Sequence, residues 1–194
     1  MEEKLMCKTT DKTEQQFRDV MAECSELFSK QLHDYGASWR ILRPSSLTAQ
    51  LFIKAKRIRS LEIKKQALVD EGIRPEFIAI INYGIVGLIQ LERGFADTVD
   101  VTPDEALELY DRHAVEALQL MLRKNHDYDE AWRGMRVSSY TDFILTKLQR
   151  VKEIEELEVK GERLKASEGI DANYMDIINY AVFGAIKLAE ESEA

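Results

Sequence analysis

The sequence predicts an all-α protein, and three observations carry that reading. Apolar residues recur at helical spacing through long stretches. All three prolines stand where a helix would begin. No stretch alternates apolar and polar residues with period two for long enough to argue for a strand.

Six main helices are expected, at about 12–33, 46–70, 75–93, 103–126, 139–160 and 171–191. The first ends at His33, and a histidine suits the negative end of a helix dipole. The second follows Pro44-Ser45-Ser46. The third opens at Pro75-Glu76, and its run Phe77, Ile78, Ile80, Ile81, Ile85, Val86 is apolar nearly all round, which predicts a central helix. Gly94 is placed as its stop. The fourth begins Thr102-Pro103-Asp104-Glu105: Thr as N-cap, Pro at the first helical position, acids facing the positive dipole end. Ala106, Leu109, Tyr110, His113, Val115, Ala117, Leu118, Met121 and Leu122 form its apolar stripe, broadened on one side. The fifth repeats the pattern of the second. The sixth has Glu168 and Asp171 at its start, and its last residues, Glu190 to Ala194, are expected to fray.

The helices fall into two sets of three because the chain repeats itself. His33-Asp34-Tyr35, Trp39-Arg40, Arg43, Ser45-Ser46, Lys54, Arg57 and Glu62 recur 93 positions later as His126-Asp127-Tyr128, Trp132-Arg133, Arg136, Ser138-Ser139, Lys147, Arg150 and Glu155. Over 33–62 against 126–155, 12 of 30 positions are identical, and over 71–91 against 168–188, 10 of 21 are. The second block includes Ile80-Ile81-Asn82-Tyr83, which returns as Ile177-Ile178-Asn179-Tyr180. A duplicated scaffold needs only its apolar pattern preserved, yet most of these identities are polar or aromatic. Residues 1–94 therefore form a first three-helix repeat and 95–194 a second, with 94–102 as linker. Units of about 80 residues are marginal alone. The expected architecture is thus a pseudo-twofold helical bundle in which the two repeats form one body.

The net charge of −8 argues against general nucleic-acid or membrane-surface binding. The N-terminus lacks the apolar core of a signal peptide, and the longest apolar run, 77–91, is interrupted by Asn82 and Gln90. Two cysteines, Cys7 and Cys24, make neither a metal spacing nor a disulfide framework, which points to the cytoplasm.

Each recurring motif has a bland and a sharp reading. Trp132 is either a buried anchor or a stacking platform, and Arg133 and Arg136 are either ion-paired or phosphate ligands. The His-Asp dipeptides are also a feature of metal-dependent phosphohydrolases, which need further His and Asp ligands; His113 is the one other histidine. Lys147 and Arg150 share a helix face at i, i+3, followed by Glu155. They form either a solvated salt-bridged face or a phosphate site with a glutamate facing a metal. Asp176 differs from the rest. It sits mid-helix between Met175 and Ile177-Ile178, and a buried carboxylate is costly unless paired or bound to a cation. Hard oxygen ligands beside Lys and Arg suggest Mg²⁺ holding a polyphosphate. The copies disagree here: Asp176, Asp171 and Asp142 stand against Ala79, Arg74 and Ala49. That asymmetry fits one working site weighted toward the second repeat, with a degenerate acidic site in the first.

Lys124-Asn125-His126-Asp127-Tyr128, Trp132, Lys147-x-x-Arg150, and Glu168 ahead of Asp176-Ile177-Ile178-Asn179-Tyr180 resemble the nucleotide modification associated domain 1 family. The pattern is also similar to the all-α, MazG-like nucleoside triphosphate pyrophosphohydrolases, in which carboxylates from two helices hold Mg²⁺ over a triphosphate. The family's Gly after Asp-Tyr is Gly36 in the first copy and Asp129 in the second, and the acid before the helical Lys is Ile53 and Thr146. The resemblance implies Mg²⁺-dependent hydrolysis of a nucleotide phosphoanhydride. The catalytic candidates are Asp127, Glu155 and Asp176, and the metal ligands Glu168, Asp171 and Asp176. The substrate-binding candidates are Trp132, Arg133, Arg136, Lys147, Arg150, Asn179 and Tyr180. The expected partner is a nucleotide or another phosphate-bearing small molecule. A nucleic acid is less favoured, no membrane is expected, and a homodimer is allowed. The competing readings are a non-catalytic nucleotide- or nucleic-acid-binding protein and a purely structural helical module.

Overall fold

The computed structural model describes residues 2–65, 72–162 and 168–193, with side chains described from 12 to 192 within those spans. Residues 66–70, Glu71 of the second repeated block, the Cys7 side chain and Ala194 lie outside them; the second helix, expected to reach 70, ends at Lys64, where Lys65 takes φ +53°. Among the described residues there are six α-helices and no strand: α1 Glu2–Tyr35, α2 Pro44–Lys64, α3 Arg74–Arg93, α4 Pro103–Tyr128, α5 Val137–Val159 and α6 Ile170–Glu193. The start and stop signals act as expected. Thr102 and Glu105 complete a reciprocal capping box, and Gly94 takes φ +73° to end α3. The joining loops hold short 3₁₀ turns, Ser38–Ile41 and Ala131–Gly134, where the sequence pattern predicts only loop. None of the helices is long and apolar enough to cross a membrane.

Corresponding helices meet each other: α1 lies on α4, α2 on α5, and α3 on α6. The α3–α6 crossing is the centre, as the all-round apolar run requires, and it is paired contact for contact. Tyr174 of α6 covers Gly87 of α3, and its counterpart Phe77 covers Gly184; a Cβ at either glycine would meet the ring at 2.6 Å and 2.8 Å respectively. Around them Ile80, Ile81, Ile85, Ile177 and Ile178 are fully buried.

Polar pairs repeat the same symmetry. Thr48 of α2 donates to Glu155 of α5 at 2.6 Å, and Thr141 of α5 donates to Glu62 of α2 at 2.8 Å. The twice-kept glutamates thus tie the two repeats together across the α2–α5 contact. Burial raises the pKa of both carboxyls, and the threonine hydroxyls offset part of that rise.

The twice-kept arginines anchor the two loops, and Arg133 does so across the repeats, onto α1. Arg40, 1% exposed, reaches Asp100 at 2.6 Å, the Gly94 carbonyl at 2.6 Å, and Gln90. Arg133 binds Glu130 at 2.5 Å, Thr13 at 2.6 Å, Gln16 at 2.8 Å and Glu190 at 3.2 Å. Each guanidinium fastens a loop to distant helices with several of its five donors.

Candidate functional site

Equivalent residues of the two repeats line a pair of hollows. In the first repeat, Phe28, Gln31, Leu32, Tyr35, Trp39, Leu42, Ala79, Asn82, Tyr83 and Val86 contribute to a hollow of about 370 Å³. In the second, their counterparts Met121, Lys124, Asn125, Tyr128, Trp132, Met135, Asp176, Asn179, Tyr180 and Phe183 line one of about 290 Å³. That volume lies at the lower end of small-molecule sites. The second hollow alone is charged, because Lys124 replaces Gln31 and Asp176 replaces Ala79. All its lining residues come from α4, the 131–135 turn, α5 and α6.

Asp176 is buried, 7% exposed, and is held by two ammonium groups. Lys124 of α4 binds Oδ1 at 2.5 Å and Lys147 of α5 binds Oδ2 at 2.6 Å. Burial pushes the Asp176 carboxyl up, but the two lysines more than offset it and bring the pKa below its ordinary value. Burial likewise pulls Lys124 down, and Asp176 pulls it back above its ordinary value. Three helices thus converge on a triad whose formal charge is +1. Lys147 also lies 3.8 Å from Glu168, which is largely exposed.

The first repeat carries a buried carboxylate too, one helical turn earlier. Glu76, 5% exposed, binds Arg57 at 2.6 Å and Lys54 at 3.3 Å. Its position corresponds to Asn173, so Lys54 and Lys147 keep the same task while the acid has moved along the helix. The first acidic site is therefore relocated rather than empty, and it lies outside the first hollow's lining.

The remaining candidates are dispersed. Asp127 is exposed beside His126. Glu155 sits in the α2–α5 contact. Trp132 stacks on Phe183 at 4.4 Å and carries the Arg133 guanidinium over its ring at 4.3 Å. Both rings and the guanidinium are thus packed on one another, and Arg133 is engaged by protein partners. Arg136 is exposed at the N-cap of α5. Arg150 lies in a separate surface hollow with Arg59, Asp142 and Gln149, away from Lys147. Tyr180 does line the cavity, 5.4 Å from Phe143. Burial first, then the Asp176 charge, raises its pKa.

Asp171 is exposed in the first turn of α6. Among the described residues no group of three His, Cys, Asp or Glu side chains lies close enough together to hold a metal ion. With both Asp176 oxygens taken by lysines, the expected donors Glu168, Asp171 and Asp176 do not fit Mg²⁺ as they stand.

Lys124 was missed as a site residue in the sequence reading. Its signal was the same one that singled out Asp176, a difference between copies, since Gln31 stands at the equivalent position.

Comparison with curated proteins returns no match, and comparison with solved structures returns none. The model of one family, nucleotide modification associated domain 1, matches residues 31–91 and again 124–188. Those segments begin near the end of α1 and of α4 and reach into the last turns of α3 and α6, so they contain most of both hollows' lining and the Lys124–Asp176–Lys147 triad. The chain belongs to the nucleotide modification associated domain 1 family and carries that domain twice.

Proposed function

We propose that the protein binds a nucleotide in the second-repeat cavity, with the phosphate at Lys124, which lines that cavity, and the organic part among the aromatic side chains. The observation that carries this reading is the triad at an aromatic-lined cavity whose first-repeat twin is uncharged. A lysine pair already fixed in position loses little side-chain freedom when an anion arrives. Asp176 acts as the internal anion: it keeps the two ammonium groups together, and a phosphate in the cavity competes with it for the Lys124 donors. Tyr180 and Phe143 offer apolar ring surface beside that point.

Hydrolysis of a phosphoanhydride is the second reading, and the observation favouring it is Lys147 lying between Asp176 and Glu168. A cation already holds those two carboxylates together, but the donor set needs rearrangement before a divalent metal fits it. Binding without turnover is therefore the better supported reading.

The test is a panel of nucleoside mono- and triphosphates, followed by thermal shift and, with Mg²⁺ added, by pyrophosphate or phosphate release. A rise in melting temperature with at least one nucleotide, lost in Lys124→Ala, is expected. No shift from any nucleotide would overturn the binding reading. Turnover abolished by Asp176→Asn in a folded protein would replace it with the hydrolase reading.

A further inference from the structure

One buried asparagine is kept in both repeats but is hydrogen-bonded in only one, which leaves a polar group without a partner. In the first repeat Asn82 is satisfied at both ends. Its Oδ1 accepts from the Tyr110 hydroxyl at 2.7 Å, and its Nδ2 donates to the Cys24 carbonyl at 3.3 Å. The second-repeat counterpart, Asn179, is 5% exposed, lines the charged cavity, and has no partner for either Oδ1 or Nδ2. The missing donor to Oδ1 is legible in the sequence. Position 110 in α4 corresponds to position 17 in α1, and there the residue is Phe17, fully buried and without a hydroxyl. The indole N–H groups of Trp39 and Trp132 also lack partners, but they do so in both copies and mark no difference.

A buried primary amide with both ends unmet is costly, and such groups are nearly always satisfied. The amide presents one acceptor and one donor side by side, which matches any planar ring edge carrying an adjacent donor and acceptor. A nucleobase has such an edge; a sugar phosphate does not. Lys124 and Asp176 line the same cavity as Asn179, so one ligand can meet both. We infer that Asn179 is a specificity residue that reads the hydrogen-bonding edge of a nucleobase, and that the loss of the Tyr hydroxyl at position 17 opened this site. The inference rests on the reading that the second cavity holds a nucleotide, and it adds that the base, not the phosphate alone, is recognised.

The probes are the 5′-monophosphates of adenosine, guanosine, cytidine, uridine and thymidine, with ribose 5-phosphate as the base-free control, measured by titration calorimetry. At least one nucleotide is expected to bind about ten- to a hundredfold tighter than ribose 5-phosphate, the range for a paired amide contact to a base edge. Asn179→Leu is expected to bring that nucleotide down to the level of ribose 5-phosphate while raising the melting temperature of the free protein. Phe17→Tyr supplies the missing hydroxyl to Asn179, and it is expected to weaken nucleotide binding while leaving the free protein at least as stable. Tyr110→Phe should destabilise the protein and leave nucleotide binding as it was. If Phe17→Tyr fails to fold, Asn179→Leu still decides. Ribose 5-phosphate binding as tightly as every nucleotide would overturn base recognition and leave the phosphate site standing. A nucleotide preference that survives Asn179→Leu would overturn the role of Asn179. No binding by any of the six would overturn both readings together.

Discussion

Gly87→Ala probes the centre of the fold. The added Cβ would sit 2.6 Å from Tyr174 Cε2, 3.0 Å from Cδ2 and 3.2 Å from Cζ. Carbons in ordinary contact stand about 3.5–4.0 Å apart, so the ring must retreat by roughly 1 Å. It has nowhere to go. Tyr174 is 1% exposed, and its hydroxyl lies 2.9 Å from Thr48 Oγ1, the same hydroxyl that donates to Glu155. Overpacking of this kind costs about 1–3 kcal/mol, and a ring fixed at both ends belongs at the upper limit. Alanine returns about 1 kcal/mol through helix propensity. The net is a loss of about 2 kcal/mol, or roughly 4–8 °C in melting temperature for a chain of this size. The assay is urea denaturation followed by circular dichroism, run as a double-mutant cycle with Tyr174→Leu. Removing the ring should remove the clash, so Gly87→Ala should become neutral or stabilising in that background. An equal penalty in both backgrounds, or a gain in the wild-type background, would refute the α3–α6 contact described above.

Three other perturbations follow from the geometry. Arg40→Ala leaves Gln90 and the Gly94 carbonyl without their donor, while half-exposed Asp100 rehydrates; the expected loss is about 2–4 kcal/mol by denaturant titration. Asp176→Asn leaves the partly buried Lys147 without its main counter-charge, for a loss of about 1–3 kcal/mol in a still helical protein. Because the folded-state pKa of Asp176 is lowered, its contribution is present above the ordinary carboxylate pKa and disappears as pH falls through the folded value, so the variant should lose acid sensitivity there. Glu62 and Glu155 have raised pKa values, so the folded state holds their protons more tightly and stability falls as pH rises from about 4.5 through the folded values. The Glu62→Gln, Glu155→Gln double variant should flatten that decline in melting temperature measured between pH 4 and pH 7.

The helices were legible because their signals are local. Thr102, Gly94 and the prolines act within one turn of where they stand, and the all-round apolar run of α3 had to be central. The 3₁₀ turns were not legible, because a single i to i+3 turn leaves no periodicity in sequence. The roles of Arg40 and Arg133 were hidden for another reason. Both were kept in both copies, which fitted phosphate binding as well as structure, and their partners Asp100, Thr13 and Glu190 lie far away along the chain. The site itself was legible mainly through difference. Asp176 against Ala79 marked it, and Lys124 against Gln31 carried the same mark. Tyr110 against Phe17 could be read only once Asn82 and Asn179 were seen to differ in hydrogen bonding.

A nucleotide held by the second repeat alone should perturb one hollow and spare the other. The measurement is two-dimensional NMR of the ¹⁵N-labelled protein titrated with whichever nucleoside 5′-monophosphate binds in calorimetry. The Asn179 side-chain amide and the backbone amides around Lys124, Tyr180 and Phe183 are expected to shift, while the Asn82 side chain and its surroundings in the first hollow stay in place. Equal shifts in both hollows, or shifts confined to the first, would contradict a site in the second repeat alone.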